Sequence, residues 1–400
     1  MNSIAIRVAV ALIAVATVST QKINKATKPV IDRGPIVAAV DKGAKWLAST
    51  QGEDGGWGQD GNGTSYIQNG AQLESKGNDV ANTAVAALAL LRAGKQYQPN
   101  VDRALAFILQ RVEGSPRDGL SVTNVEGTQI QRKLGPYIDT FLTSMLLSQV
   151  DGTLAKAGEN ARVRRALEKC VAKIERNQKG DGSWNLAGGW APVLGTSLAS
   201  RSLFEARQKG VKVDSLVLAR AENYTVNAMK PSSNSSRSGG VGRGYGEGAG
   251  VGMGAGRGGD IKGEATRVTV DGLSPTLATT ESAGVSLYQS AQALEQLSRT
   301  DEDRKKNAVA ISAIGGQVNN KAFVDGFGSI GGEEFFSYLN LSDGLKRAGG
   351  KAWTDWYSSI TEKILQLQNN DGTWAGHHCI TGRVAVTAAA MLNLTVDRAN

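Results

Sequence analysis

Three segments of the chain share one seven-residue pattern, Gln-x-x-Asp-Gly-x-Trp: QGEDGGW at 51–57, QKGDGSW at 178–184 and QNNDGTW at 368–374. Each follows a run with helical spacing and precedes, after a loop, a second run of small apolar residues. A repeat of this length constrains the fold more than any single element, because one unit cannot bury its apolar face alone and must stack on its neighbours. Weaker copies fill the gaps. RDGL at Asp118, VDGL at Asp271 and VDGFG at Asp325 keep Asp-Gly and replace Trp by Leu or Phe.

The six turns predict six outer helices near 36–51, 98–112, 159–178, 213–229, 301–314 and 353–369. They also predict six inner helices beginning near Asn82, Asp139, Gly195, Glu281, Glu334 and Val386. Six such hairpins make an all-α protein, an α6/α6 toroid over residues 36–396 with a central cavity lined by the small-residue helices. In each turn, Gly supplies a positive φ without steric cost. Gln is expected to cap the end of its own helix, and the indole to cover a junction while offering one N–H. Thr83, Thr140, Thr196, Ser282 and Thr387 stand near the starts of inner helices as N-caps or small packing residues. Insertions fall mainly between the two helices of each hairpin and so crowd one face, often the binding face in such assemblies.

The largest insertion spans 232–265 and is Gly-rich, with twelve glycines among the 21 residues 239–259. Such a tract cannot bury a core, so disorder is expected there, with its arginines serving solubility. The chain as a whole has 40% apolar and 20% charged residues, as a globular protein should. Its net charge of +8 is too mild and too scattered to indicate a nucleic-acid partner. Residues 1–20 place Arg7 before about thirteen apolar or small residues, the layout of a signal peptide rather than of a stable membrane span. Residues 21–35 then form a linker, and the protein is expected to be exported, periplasmic or secreted. Cys170 and Cys379 permit one disulfide there without demanding it.

The Gln-x-x-Asp-Gly-x-Trp segments and the six-hairpin count resemble the squalene-cyclase and protein-prenyltransferase repeat superfamily. Residues 331–394 resemble, more narrowly, its exported bacterial repeat proteins. The resemblance implies the toroid and offers two chemistries to test. Squalene–hopene-type cyclases protonate an alkene with an Asp of D-x-D-D-T-A at the head of an inner helix. Here that segment reads DVANTA at 79–84, with Ala81 and Asn82 in place of the two central acids. Other acids begin inner helices: Asp139, Glu281, and Glu333 with Glu334. These are candidate general acids if burial raises their pKa, or simply carboxylates capping helix N-termini.

Prenyltransferase β-subunits hold zinc through Asp, Cys and a His in a segment that opens the last inner helix. GHHCITG at 376–382 sits in a similar place. His377, His378 and Cys379 with Asp371 are therefore candidate zinc ligands. Against them, the Asp-x-Cys partner is missing and three consecutive side chains seldom converge on one ion. The alternative is that one His and Arg383 orient the loop by hydrogen bonds. No cofactor is otherwise expected. The Cys-Gly-Glu-Gln thioester motif and the Gly-x-Ser-x-Gly elbow are both absent.

Two functions remain. The first is a binding or interaction scaffold that lacks the standard cyclase acid and takes an apolar small molecule or a protein as partner. The second is a terpenoid cyclase, isomerase or prenyl-transfer-like enzyme, with Asp139, Glu281 or Glu334 as acid and His377 or His378 as polar partner.

Overall fold

The computed structural model describes residues 32–60, 77–184, 191–228, 283–326, 331–377 and 379–398, together with the short strands β1 (Ile67–Gln68) and β2 (Ala71–Gln72). The segments 1–31 and 229–282 lie outside the described residues, so the signal peptide, most of the linker, the Gly-rich insertion and Glu281 do too; so does His378.

Six inner helices among the described residues form a closed ring. They are α2 (Val80–Ala93), α5 (Ile138–Val150), α7 (Ala191–Gln208), α9 (Ala283–Leu297), α13 (Gly332–Ala348) and α15 (Arg383–Leu394). Each packs on the next, and α15 packs on α2. Outside them stand α1 (Arg33–Ser49), α3 (Gln98–Gly114), α6 (Ala157–Arg176), α8 (Ser215–Ala228) and α14 (Gly350–Gln366). The fifth outer position, expected as one run over 301–314, is two helices, α10 (Asp301–Lys306) and α11 (Ala308–Gln317), divided at the buried Asn307. Two short helices lie in the long loops, α4 (Gln129–Leu134) and α12 (Lys321–Val324). The protein is thus all-helical apart from the two-residue hairpin.

The inner helices have no polar stripe because every side of them is covered. All residues of α2 from Val80 to Leu90 are buried, as are those of α13 from Gly332 to Leu345 and of α15 from Val384 to Leu394. A helix apolar all round belongs in a core, and alanine-rich α2 and α15 let six backbones approach one axis.

The Gln-x-x-Asp-Gly-x-Trp turn has one geometry in its three copies. The indole N–H of Trp57, Trp184 and Trp374 donates to the carbonyl of Leu47, Ile174 and Ile364 at 2.8, 2.6 and 2.7 Å, in the last turn of the outer helix, where carbonyls lack regular intrahelical partners. The backbone N–H of the same Trp donates to Thr83, Thr196 or Thr387 on the inner helix. These threonines therefore tie the turn to its own hairpin.

The glutamine does not cap its own helix as expected. Its amide donates within the turn and also to the next outer helix: Gln51 to Asn100 O, Gln178 to Val217 O and Gln368 to Ala39 O, at 2.8–2.9 Å. The last of these crosses from the sixth repeat to the first, so the ring closes by the same bond that joins its repeats. Glycine is required twice over at Gly55, Gly182 and Gly372. Their φ values are +86°, +91° and +88°, and a Cβ would come within 3 Å of the next outer helix, at Arg103, Arg220 and Lys42. Two of the weaker copies dock differently onto the next outer helix. Lys173 of α6 donates to Gly119 O and Ser121 O, and Lys363 of α14 pairs with Asp325.

Candidate active site at the mouth of the toroid

The long loops all join an outer helix to the next inner one, so they gather where the inner helices begin. Acids cluster at that mouth. Asp79 is the N-cap of α2, its Oδ1 accepting from Asn82 N and its Oδ2 from Asn82 Nδ2, both at 2.8 Å. Asp139, in the first turn of α5, accepts from Ala81 N at 3.1 Å and from Gln131 Nε2 at 2.7 Å. Two carboxylates thus share the exposed N–H groups of one helix start, and both are 1% exposed. Burial, reinforced by the Asp139 charge, pushes Asp79 up to about 7. Burial also pushes Asp139 up to about 6 against the hydrogen bonds it accepts.

Across the mouth, Glu333 and Glu334 open α13 and are fully buried. Glu334 accepts from Gly331 N at 2.9 Å as a cap and from the Tyr288 hydroxyl at 2.9 Å. Glu333 accepts from Ile380 N at 3.0 Å and from the Cys379 thiol, and burial raises its pKa. Burial and Glu333 push the Cys379 thiol up to about 12, which makes it a poor nucleophile and a poor metal ligand. Cys379 stands at φ +54°, an uncommon conformation for a side chain with a Cβ. Both cysteines are free thiols, and Cys170 is buried within α6.

Helix α4 lies between these two clusters. Gln131 holds Asp139, while Gln129 accepts from Thr381 N at 3.0 Å and donates to the Thr381 hydroxyl at 3.1 Å. Arg383, first residue of α15, grips Asp60 with Nε and Nη2 at 2.5 and 2.9 Å and Asp371 with Nη1 at 2.9 Å, and lies 5.1 Å from the Trp46 ring centre. It joins the first and sixth repeats, as the loop-orienting alternative expected of it.

Three of the four candidate zinc ligands are described, and each has its own surroundings. Asp371 is exposed and committed to Thr373 and Arg383, His377 is exposed, and Cys379 is turned to Glu333. Among the described residues no three His, Cys, Asp or Glu side chains could hold a metal ion. His378, the fourth candidate ligand, lies outside the described residues.

At the opposite end the expected open cavity gives way to a buried ion network. Arg201 of α7 reaches Asp343 of α13 at 2.6 Å, Glu205 at 2.8 Å and Asn340 at 3.1 Å, while Arg92 of α2 faces Asp343. Glu295 of α9 binds Arg299 at 2.6 Å and Arg347 at 3.6 Å. Helices α2, α7 and α13 are alternate members of the ring, so charges linking them lie on its axis. Arg92, Arg201, Glu295 and Asp343 stand ten to twelve positions beyond the first residues of their helices, about 15–18 Å below the mouth. Three arginines hold Asp343 below its usual range despite burial, so it is charged.

Residues 18–123 match the family model of the squalene-hopene cyclase C-terminal domain. A curated squalene–hopene cyclase from Bradyrhizobium diazoefficiens is 39% identical over 70 residues, 18% of this chain and 10% of that enzyme, so the match spans about a tenth of the relative's length. Two solved structures of a type II terpene cyclase from Scytonema, with merosterolic acid A as product and with geranylgeranyl dihydroxybenzoate as substrate, are 10% identical. They cover 90% and 91% of this chain and 96% and 97% of theirs, each with a TM-score of 0.35. Among the described residues, no helix is long and apolar enough to cross a membrane.

Sequence reasoning named Asp139 and Glu334, and both lie buried at the mouth. It passed over Asp79, seen there only as what remains of the acid motif, and gave Glu333 no role beyond its partner's. The available signal was position: all four stand within three residues of an inner-helix start. Arg201, Asp343 and Glu295 had no such signal, since isolated charges inside an apolar run carry no mark of meeting on an axis.

The mouth pair has a consequence for pH dependence. A carboxyl whose folded pKa lies above its unfolded value binds its proton more tightly in the folded state. Asp79 and Asp139 therefore stabilise the fold below about pH 4 and lose that contribution as pH rises through about 6 and 7. The slope approaches about 1.4 kcal/mol per pH unit for each group. Urea unfolding at pH 4.5, 6 and 8 should show Asp79→Asn and Asp139→Asn gaining on the wild type as pH rises; a constant difference would refute the assignment.

Proposed function

We propose that this protein is an exported binding or interaction scaffold built on a squalene-cyclase-type toroid, with an apolar small molecule or a protein as its partner. The observation that carries this reading is the ion network on the axis. An isoprenoid chain seated at that depth would press hydrocarbon against Arg201, Asp343 and Glu295. Displacing their partners would leave buried charges uncompensated, at a cost of several kcal/mol. Saturation of the mouth acids supports the same reading, because both oxygens of Asp79 and of Asp139 already accept hydrogen bonds from the protein. The export component is motivated by residues 1–20, and a fusion of residues 1–35 to a reporter active only outside the cytoplasm tests it.

A second reading is favoured by the raised pKa values of that same pair. One carboxyl near 7 beside one near 6 is a proton store of the kind acid-initiated cyclisation uses. Asp79 would then be the acid, Asp139 would set its pKa, and a terpenoid would approach from the mouth. The two readings separate when purified protein is incubated with squalene and with a geranylgeranyl substrate and the extracts are analysed by mass spectrometry. No cyclised product is expected. A product that disappears in Asp79→Asn would overturn the scaffold reading and establish the second.

A further inference from the structure

Helix α6 carries Arg162, Arg165, Lys169 and Arg176 at spacings of three, four and seven residues. These spacings place all four on one face, strung over about 21 Å. With Arg117 from the loop after α3, they line a cleft of about 500 Å³ between α6 and the end of α3, floored by Val112, Ala166 and Ala172. Its one lining acid, Glu113, is already taken by Arg162 through paired bonds of 2.6 and 2.7 Å. Lys169 anchors to the neutral carbonyls of Glu113 and Ser115, and Arg176 to that of Arg117, with the exposed Asp118 carboxylate 3.8 Å from Arg176. Arg117 and Arg165 are exposed and have no carboxylate partner among the described residues. Arg162 is shared with a second cleft of about 560 Å³ whose apolar floor includes Leu105 and Leu109.

The geometry points to a docking site for an acidic polypeptide segment lying extended along α6. Side chains on one side of an extended segment recur every 6–7 Å or so, close to the rise of one helical turn, so successive carboxylates can meet successive cations. A lone phosphate could meet one or two of these charges and would leave the rest of the row unused. A nucleic-acid strand would find no aromatic side chain in the lining on which to stack a base. A planar lipid surface would leave the apolar floor of the cleft, Val112, Ala166 and Ala172, without a partner. The apolar floor suits a segment that alternates acidic with small apolar residues. This inference goes beyond the scaffold reading and does not depend on what occupies the axis.

The test uses the full chain and a fluorescein-labelled ten-residue peptide of alternating Glu and Leu, followed by anisotropy at low ionic strength. Saturable binding is expected, weakened by about tenfold or more in Arg117→Ala/Arg165→Ala and by raising salt to several Debye-screening equivalents. A Lys212→Ala/Lys305→Ala control, which removes two exposed cations elsewhere, should bind as the wild type does. Neither pair of substitutions should move the unfolding midpoint, since none of the four side chains has a bonded partner to lose. The proposal is overturned by absent binding, by equal binding in the Arg117/Arg165 variant, by equal loss in the control, or by tighter binding of an oligothymidylate of matched charge.

Discussion

Arg201→Met is expected to destabilise the protein by about 3–5 kcal/mol, because it removes the cation and leaves the charges of Asp343 and Glu205 buried without it. The side chain of Arg201 is 5% exposed and that of Asp343 is 8% exposed, so water cannot take over the lost contact. Methionine keeps most of the arginine stem's packing, which confines the effect to charge. The pair variant Arg201→Met/Asp343→Leu should recover much of the loss, since a buried ion pair often contributes little more than apolar residues of similar volume. Urea unfolding of the two single variants and the double variant measures the coupling. Additive losses would mean that the network is not the connected unit described here. The double variant also bears on function: with this pair made apolar, gain of isoprenoid retention would identify the pair as what excludes it.

Trp374→Ala is the second large effect, at about 3–5 kcal/mol. The indole is fully buried, donates to Ile364 O, and stands so close to α1 that a methyl added at Gly43 would come within 3.0 Å of it. Truncation therefore opens a cavity at the seam between the sixth and first repeats and leaves the Ile364 carbonyl with Leu367 N, at 3.2 Å, in place of two donors. Trp374→Phe should cost less, about 1–2 kcal/mol, because it keeps the ring's bulk and loses the donor. If Trp374→Ala unfolded at the wild-type urea midpoint, the ring-closing role of this turn would be wrong. Trp57 and Trp184, with the same bond to the outer helix before them, should behave alike in size of effect.

Much of the fold was legible because its signal is local and repeated. Gln-x-x-Asp-Gly-x-Trp marks a turn whose geometry is set within seven residues, and small-residue runs mark helices that must be covered on all sides. Where the expectation failed, the missing information was which groups meet. Gln51, Gln178 and Gln368 looked like caps of their own helices, yet each donates to the following repeat, a partner 49, 39 or 329 positions away in the chain. At the opening of α15, His377, His378 and Cys379 are adjacent in sequence, and adjacency does not say which groups meet there. In space Cys379 turns to Glu333, while Asp371 joins Arg383.

The sequence by itself determined the repeat, the inner and outer order of the helices and the gathering of acids at one mouth. These follow from backbone conformation, side-chain period and position relative to a helix start, which are properties of short segments. Only the tertiary structure decided that Asp79 and Asp139 share one helix terminus, that Arg201 meets Asp343 on the axis, and that α6 presents its cations along a cleft. Charge acts through space, with a strength set by distance and burial. Neither quantity exists until the ring has closed.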